Sequence, residues 1–484
     1  MRLLPGLLVS SALALPALAN TVTSYANLFF LPSDVINNTW FQKSYWSHDL
    51  MANWGEQIME TGPWSVVNKT ILSKSADIHD YLSYAVYYWP DCSNVGNTTA
   101  LTDQQIYDEC TYKQRDGQFN PDIQMVPDDT QYANLSDSVY LSALSYAATS
   151  SPVYSTHINT AIRTWFVDDT TRMNPNLEYA QVIRGPGNQT GKHTGVLDGK
   201  GLTKIVAGVM LLREINPAEW EDDVDAGFVS WVTDQVTWLE TNEVALAERA
   251  ALNNHGTFYY NQLVSLYHFL NETDKAVAAL NEFYSTNFPG QISADGDQPL
   301  ETIRTRPFHY RSYNLNALVV NAQLGDAVGL SPPGWNRTTS NGTTLMDALT
   351  FAIAQNASDT GEETASKQLN PIIAAVVSKF GDPTGNLTAY IKATDPVYPK
   401  QPYFALSSGL SDSGIRQGLI RTTYAPVAQA TQSIGKRKAK ATVGRVVAGG
   451  NKSTSAALGK SEGTGVIKLV SGGLGIGIVS WLGM

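Results

Sequence analysis

Apolar residues recur at helical spacing in eight segments of this chain. They span 134–149, 156–167, 201–215, 227–250, 274–284, 310–325, 345–357 and 364–380. Strand-like alternation is scarce and short. A chain patterned this way buries its apolar stripes by packing helix on helix. The expected fold is therefore all-α, with long loops, most of them 10–20 residues, between successive helices. No clean sequence repeat accompanies the pattern, so any repetition is structural. Hydrophobic residues at 43% and charged residues at 16% supply the large core that such packing requires.

Both ends depart from this body. Arg2 precedes an apolar run from Leu3 to Leu18, and Ala17-Leu18-Ala19 has the small-x-small form of a signal peptidase site. Residues 1–19 are expected to be a secretory signal, leaving 20–425 as the folded domain. Residues 426–484 hold eight Lys/Arg and one Glu, a net +7, which leaves −18 in the rest of a chain whose formal charge is −11. The last sixteen residues, LVSGGLGIGIVSWLGM, contain five glycines and are too short for a transmembrane helix. Small residues from Ser453 to Ala457, a polar spacer and an apolar terminus resemble a GPI-attachment signal, against which Lys468 counts. The other reading is a disordered tail, and Lys436-Arg437 is a candidate dibasic processing site.

An exported chain explains two further features. Asn-x-Ser/Thr sequons are headed by Asn37, Asn68, Asn97, Asn134, Asn188, Asn271, Asn336, Asn341, Asn356, Asn386 and Asn451, consistent with a glycosylated extracellular protein. Cys92 and Cys110, the only cysteines, are expected to pair and close a short loop. Two thiols cannot build a Cys-rich zinc site, and neither HExxH nor a paired-Asp calcium loop occurs, so no metal or cofactor is expected. A pI near 5.1 gives no bulk attraction to nucleic acid, and a polyanionic ligand would need a locally basic cleft. The 11 Trp, 23 Tyr and 14 Phe exceed what a core alone requires and are compatible with a carbohydrate groove. A monomer is expected.

Two polar clusters interrupt the helical pattern. Asn253 to Asn271, NNHGTFYYNQLVSLYHFLN, sets Asn253-Asn254-His255 at the mouth of an amphipathic helix whose apolar face is Tyr259, Leu263, Leu266, Tyr267 and Leu270. Its first turn carries no charge, so an amide, an imidazole and free backbone N–H groups there make a place for an anion. The second cluster, RTRPFHYRSYNL at 304–315, starts a helix near Pro307 with Arg304 and Arg306 just before it. Arg306, Tyr310 and Tyr313 then share one face. Asn176 to Gly201, rich in glycine and too long for a plain connection, reads as a functional or disordered loop with no Walker or Rossmann pattern.

NNHGTFY and RTRPFHYRSYNL, together with HDYLSYAVYYWPD, YKQRDGQFNPD and NLEYAQVI, resemble the alginate lyase domain family, within the chondroitin AC/alginate lyase superfamily of polysaccharide lyases. The resembling blocks run from about His79 to Leu324. The resemblance implies an incomplete α/α toroid of helical hairpins with a cleft at one end. It also implies metal-free lyase action on a β-1,4-linked polyuronate such as polymannuronate or glucuronan. Catalytic roles fall to Asn254, His255, Tyr310 and Arg306, with Arg304 the alternative arginine. A related spacing, Arg followed seven residues later by Tyr, selects Arg306 and Tyr313. Arg304, His309, Tyr313, Tyr88, Trp89, Arg115, Tyr179 and Gln181 are expected to contact the substrate. Lys192-His193 and the sequon at Asn188 depart from the family's loop and put contacts there in doubt.

Eliminating across C4–C5 of a uronate removes the proton α to a carboxylate, so donors must face the developing dianion. In this reading Asn254, His255 and an arginine neutralise the sugar carboxylate. A tyrosine, its pKa lowered by arginine, takes the C5 proton and protonates O4. Mannuronate and glucuronate present both groups on one side; guluronate would favour His255 as base. Two other functions fit less well. A glycoside hydrolase on a similar toroid would need two carboxylates across the cleft, and Asp91 and Glu301 are the nearest acids, without evident partners. The third is an inactive cell-surface carbohydrate-binding protein.

Overall fold

The computed structural model describes residues 28–36, 45–96, 100–401 and 403. The signal segment, Asn37, Asn97, Asn451 and the tail from 426 lie outside the described residues. The helices are α1 (Pro32–Ile36), α2 (Tyr45–Met59), α3 (Asp103–Glu109), α4 (Asp128–Thr149), α5 (Pro152–Ile162), α6 (Leu202–Ile215), α7 (Asp222–Thr241) and α8 (Glu243–Arg249). They continue as α9 (Asn254–Phe269), α10 (Thr273–Thr286), α11 (Pro299–Thr302), α12 (Pro307–Val328), α13 (Leu345–Ala354), α14 (Asn370–Phe380) and α15 (Asn386–Thr394).

Six of them form an inner row, α2, α4, α6, α9, α12 and α14, each packed on the next. Outer helices cover the row: α5 lies on α4, α10 on α9 and α12, α13 on α12, and α15 on α14. Helix α7 lies against α9 and α5. The row is an arc of helical hairpins. After α15 the turn Tyr398–Lys400 packs back on α2. One apolar core runs along the inner row, with Trp165, Tyr259, Tyr260, Phe228 and Phe283 among its largest fully buried side chains. No helix among the described residues is long and apolar enough to cross a membrane.

Local chemistry explains where element bounds differ from the sequence pattern. The segment 227–250 is two helices, because Asn242 takes extended backbone and its side chain accepts from Val244 N, capping α8. The segment 364–380 opens as a 3-10 turn, Glu363–Leu369, and Pro371 then occupies the first turn of α14, where its missing N–H is harmless. Helix α9 is not amphipathic in place: its polar side is buried as fully as its apolar side, because both flanks meet other inner helices. Its polar residues are bonded instead. Asn261 Nδ2 donates to Ala317 O and Asn321 Oδ1, and Gln262 Nε2 donates to Val196 O.

Four short strands escape any period-2 signal. β1 (Leu82–Tyr84) pairs in parallel with β4 (Tyr179–Val182), and β2 (Tyr88–Asp91) pairs antiparallel with β3 (Thr111–Gln114). The Cys92–Cys110 disulfide follows directly on the Asp91–Thr111 pair and closes that ribbon. The segment Asn176–Gly201 is ordered: it supplies β4 and a 3-10 turn, His193–Gly201, laid on α9. Its glycine content reflects close approach, since a Cβ on Gly195 would lie 2.2 Å from Ala180 O. Among the sequons, Asn68, Asn188, Asn271, Asn336, Asn341, Asn356 and Asn386 are exposed, whereas Asn134 is half-buried within α4.

Candidate active site

The first turn of α9 meets α11 and the start of α12, so the two polar clusters come together. The Asn253 side chain caps α9 by accepting from His255 N. A Cβ on Gly256 would lie 2.0 Å from Ala251 O, so the residue after the histidine has to be glycine for α9 to start here. The anion at this helix start belongs to the chain itself. Glu301 Oε1 accepts from Asn254 N at 2.7 Å, and its Oε2 accepts from Asn254 Nδ2 at 2.7 Å. Glu301 therefore has a partner the sequence did not reveal, and it accepts from both Asn254 nitrogens at the helix start where the sequence reading places a sugar carboxylate. Asn254 and Glu301 are both buried. Burial pushes Glu301 up to about 7, against its bonds to Asn254 and the nearby His255 and Arg304.

His255 is held from the other side. Its Nδ1 lies 2.6 Å from Glu248 Oε1, and His193 Nδ1 lies 2.7 Å from Glu248 Oε2. One fully buried carboxylate thus bridges two imidazoles, their ring centroids 6.1 Å apart. Burial depresses the His255 pKa, but Glu248 outweighs it and the net shift is upward. Burial raises Glu248, and the two histidines more than reverse that. With Nδ1 donating to Glu248, Nε2 of neutral His255 carries the lone pair.

Arg304, rather than Arg306, stands at the phenol. Its Nη2 donates to Tyr310 Oη at 2.9 Å and to Asp116 Oδ1 at 2.5 Å, and its guanidinium carbon lies 3.9 Å from the centre of the Tyr310 ring. Asp116 also accepts from Thr305 N and Oγ1, fixing the approach to α12. Arg306 instead points to Glu362, its Nε 4.0 Å from Oε1. Glu362 accepts from Phe308 N and His309 N, so the N-terminus of α12 is capped from within the chain as well. The Tyr310 pKa is raised, not lowered: burial dominates, and Arg304 only opposes it.

Tyr313, also buried, lies tilted against Phe258 at 4.3 Å and stacks with His309 at 5.6 Å, and burial drives its pKa well up. His309 Nδ1 meets Gln368 Oε1, and burial lowers its pKa. Tyr88 Oη accepts from Lys192 Nζ at 2.7 Å, and Trp89 Nε1 donates to Gln118 O with Arg115 5.4 Å over its ring. Lys192 therefore joins the β2 side of the site. Tyr179 sits in β4 against a small cluster of Leu82, Tyr84, Val126 and Val182. Gln181, at φ 54, is tied by Nε2 to Asp198 Oδ1 and by Oε1 to Thr194. Asp198, also bonded to Ser83 and Tyr81, is pushed up to about 7 by burial. Glu248 and Asp198 had no sequence signal, and Tyr87 and Asp116 lie inside the resembling blocks without standing out there, since each acquires its partner only across the fold.

One cavity of about 270 Å³ lies elsewhere, lined by Asn316, Gln323 and Asp326 on the later turns of α12 and by Leu28 to Leu31; it contains none of the residues above.

A sequence profile of the family described as Alginate lyase matches residues 65–364. Among solved structures the chain is similar to an alginate lyase from Bacteroides ovatus, with a TM-score of 0.69 and 24% identity over 79% of this chain and 99% of that one. That likeness shows the shared fold. A more distant similarity is to alginate lyase A1-III from Sphingomonas species A1, with a TM-score of 0.40 and 15% identity over 70% of this chain and 88% of that one. No curated protein sequence matches the chain.

Proposed function

From the premise that the chain belongs to the alginate lyase family and is a polysaccharide lyase, we propose that it cleaves a β-1,4-linked polyuronate, polymannuronate or glucuronan, by β-elimination. The observation that carries this reading is the convergence at one place of Tyr310 with Arg304, of His255 with Glu248, and of Asn254 with Glu301. Arg304 N donates to Glu301 O at 3.2 Å, which ties the arginine and phenol to the start of α9.

In this reading the uronate carboxylate lies against His255 and the Asn254–Glu301 pair. Glu301, held near neutrality, takes up a proton and becomes an O–H donor to the dianion that develops when C5 loses its proton. Tyr310 takes that proton. Burial makes its phenolate scarce but strongly basic, and Arg304, bonded to its oxygen, partly opposes that rise. For sugars with the C5 hydrogen and O4 on one side, the same phenol returns the proton to O4 as the C4–O4 bond breaks. Tyr88 with Lys192 and Trp89 with Arg115 offer aromatic faces and cations suited to neighbouring acidic sugars.

We also read the protein as exported, supported by the signal-like N-terminus, the disulfide and seven exposed sequon asparagines. The test of function is ultraviolet absorbance of an unsaturated product on glucuronan, polymannuronate, polyguluronate and a glycosaminoglycan. Growth of absorbance on the first two supports the proposal. Reducing ends without absorbance indicate a hydrolase, and neither signal indicates a binding protein.

A further inference from the structure

His193 and His255 both bond through Nδ1 to Glu248, one to each carboxylate oxygen. The two Nδ1 atoms converge on one carboxylate, so the two Nε2 atoms, across their rings, point away from it. The His193 side chain is 37% exposed against 16% for His255, so it is the more open of the two to a ligand from solvent. Lys192 precedes it and reaches β2, where its Nζ donates to Tyr88 Oη. Three side chains able to carry positive charge thus run from the start of α9 to β2: His255, His193 and Lys192. A polyuronate carries a carboxylate on every sugar, and such a row matches it. Charged groups on the neighbouring elements are engaged elsewhere: Arg249 of α8 with Glu282, Asp137 of α4 with Lys204 of α6, and Asp198 with Ser83, Tyr81 and Gln181. Glu301 and Arg304 lie close enough to act on His255.

We propose that His193 is a specificity-determining residue: its Nε2 binds the carboxylate of the uronate next to the one being cleaved, and it takes up a proton to do so. The inference rests on the polyuronate reaction proposed above. Donation of Nδ1–H to Glu248 leaves the lone pair of neutral His193 on Nε2, where it would meet a carboxylate oxygen lone pair to lone pair. Protonation turns Nε2 into a donor and makes the contact an imidazolium–carboxylate bond. Glu248, held in its charged form by the two histidines, balances the imidazolium from behind. A neutral sugar in the same place gives His193 no reason to charge. The site therefore selects an acidic chain over a neutral one.

The test is the pH dependence of KM, between about pH 5 and 8, on the polyuronate that the enzyme cleaves. His193→Gln keeps an amide that can donate to Glu248 but cannot take up a proton. At the acid end its KM should exceed the parent's by about tenfold or more, as for a lost hydrogen bond to a charged group. The logarithm of the parent's KM should climb with pH, because binding needs the protonated ring. In His193→Gln the slope should be smaller by about one, for the proton no longer taken up, and any remaining slope belongs to His255. His193→Arg, charged throughout this range, should bring KM back down and keep the smaller slope. Equal slopes in the parent and His193→Gln overturn the proposal. So does a fall in kcat at unchanged KM, which would make His193 act through Glu248 on His255. A parent that forms no unsaturated product on any polyuronate removes the proposed function itself. An active parent whose KM profile His193→Gln reproduces removes only the role of His193.

Discussion

The Glu301 carboxylate grips Asn254 twice, at the backbone nitrogen and at the side-chain amide, each at 2.7 Å. The helix start that looks open to an outside anion is therefore already filled, by a carboxyl group poised to change charge near neutrality. Stability and catalysis both follow from this pair.

The Glu301 pKa is about 7 in the folded protein against an ordinary 4.5. Its protonated form is thus favoured by folding, so its contribution is full below about 4.5 and is lost as pH rises through 7. The size is on the order of 3 kcal/mol. Glu301→Gln, which cannot ionise, should flatten this part of the fall in thermal midpoint between pH 5 and 8. A pH slope identical to that of the parent protein would refute the assignment.

Tyr310→Phe should reduce the formation of unsaturated product by at least about a hundredfold, as expected for loss of a general acid–base group. Far-ultraviolet circular dichroism should be unchanged, since only a hydroxyl is lost from a side chain 6% exposed. Full activity would pass the role to Tyr313 or His255.

The two arginines should separate. Arg304 holds both Tyr310 and Asp116, so Arg304→Lys, which loses the planar fork, should lower kcat by about tenfold or more. Arg306 is one-third exposed and bonds loosely to Glu362, so Arg306→Ala should change kcat less than threefold. Steady-state kinetics on one polyuronate decides between them, and the reverse order would restore Arg306 as the catalytic arginine.

Removing the disulfide with Cys92→Ser and Cys110→Ser should lower stability by about 3 kcal/mol, as expected for a loop closed across 18 residues. Because the ribbon it closes carries Tyr88 and Trp89, KM should rise more than kcat falls. A variant with unchanged denaturant midpoint would show that the ribbon is held by its strand pairing alone.

Trp89→Ala should raise KM several-fold and leave the thermal midpoint within about a degree, because the ring is only half-buried and its contacts are Gln118 O and Arg115. A large drop in midpoint with unchanged KM would make Trp89 a packing residue.

Helical periodicity by itself determined the class of fold and most of the inner row, because an apolar stripe at 3.6-residue spacing has few places to go other than another helix. Short polar motifs marked both halves of the site, and the two cysteines named their own bridge. Tertiary structure alone decided how the polar groups pair. Glu248, 7 positions before His255, reaches it across the α8–α9 turn, and also reaches His193, 55 positions away. Glu301 finds Asn254 from 47 positions away, and Tyr87 finds Tyr310 from 223. Choosing Arg304 over Arg306 at the phenol likewise depended on Asp116, brought in from 188 positions earlier. Periodicity is a property of neighbours along the chain, whereas a buried charge takes whichever partner the packed helices bring within reach.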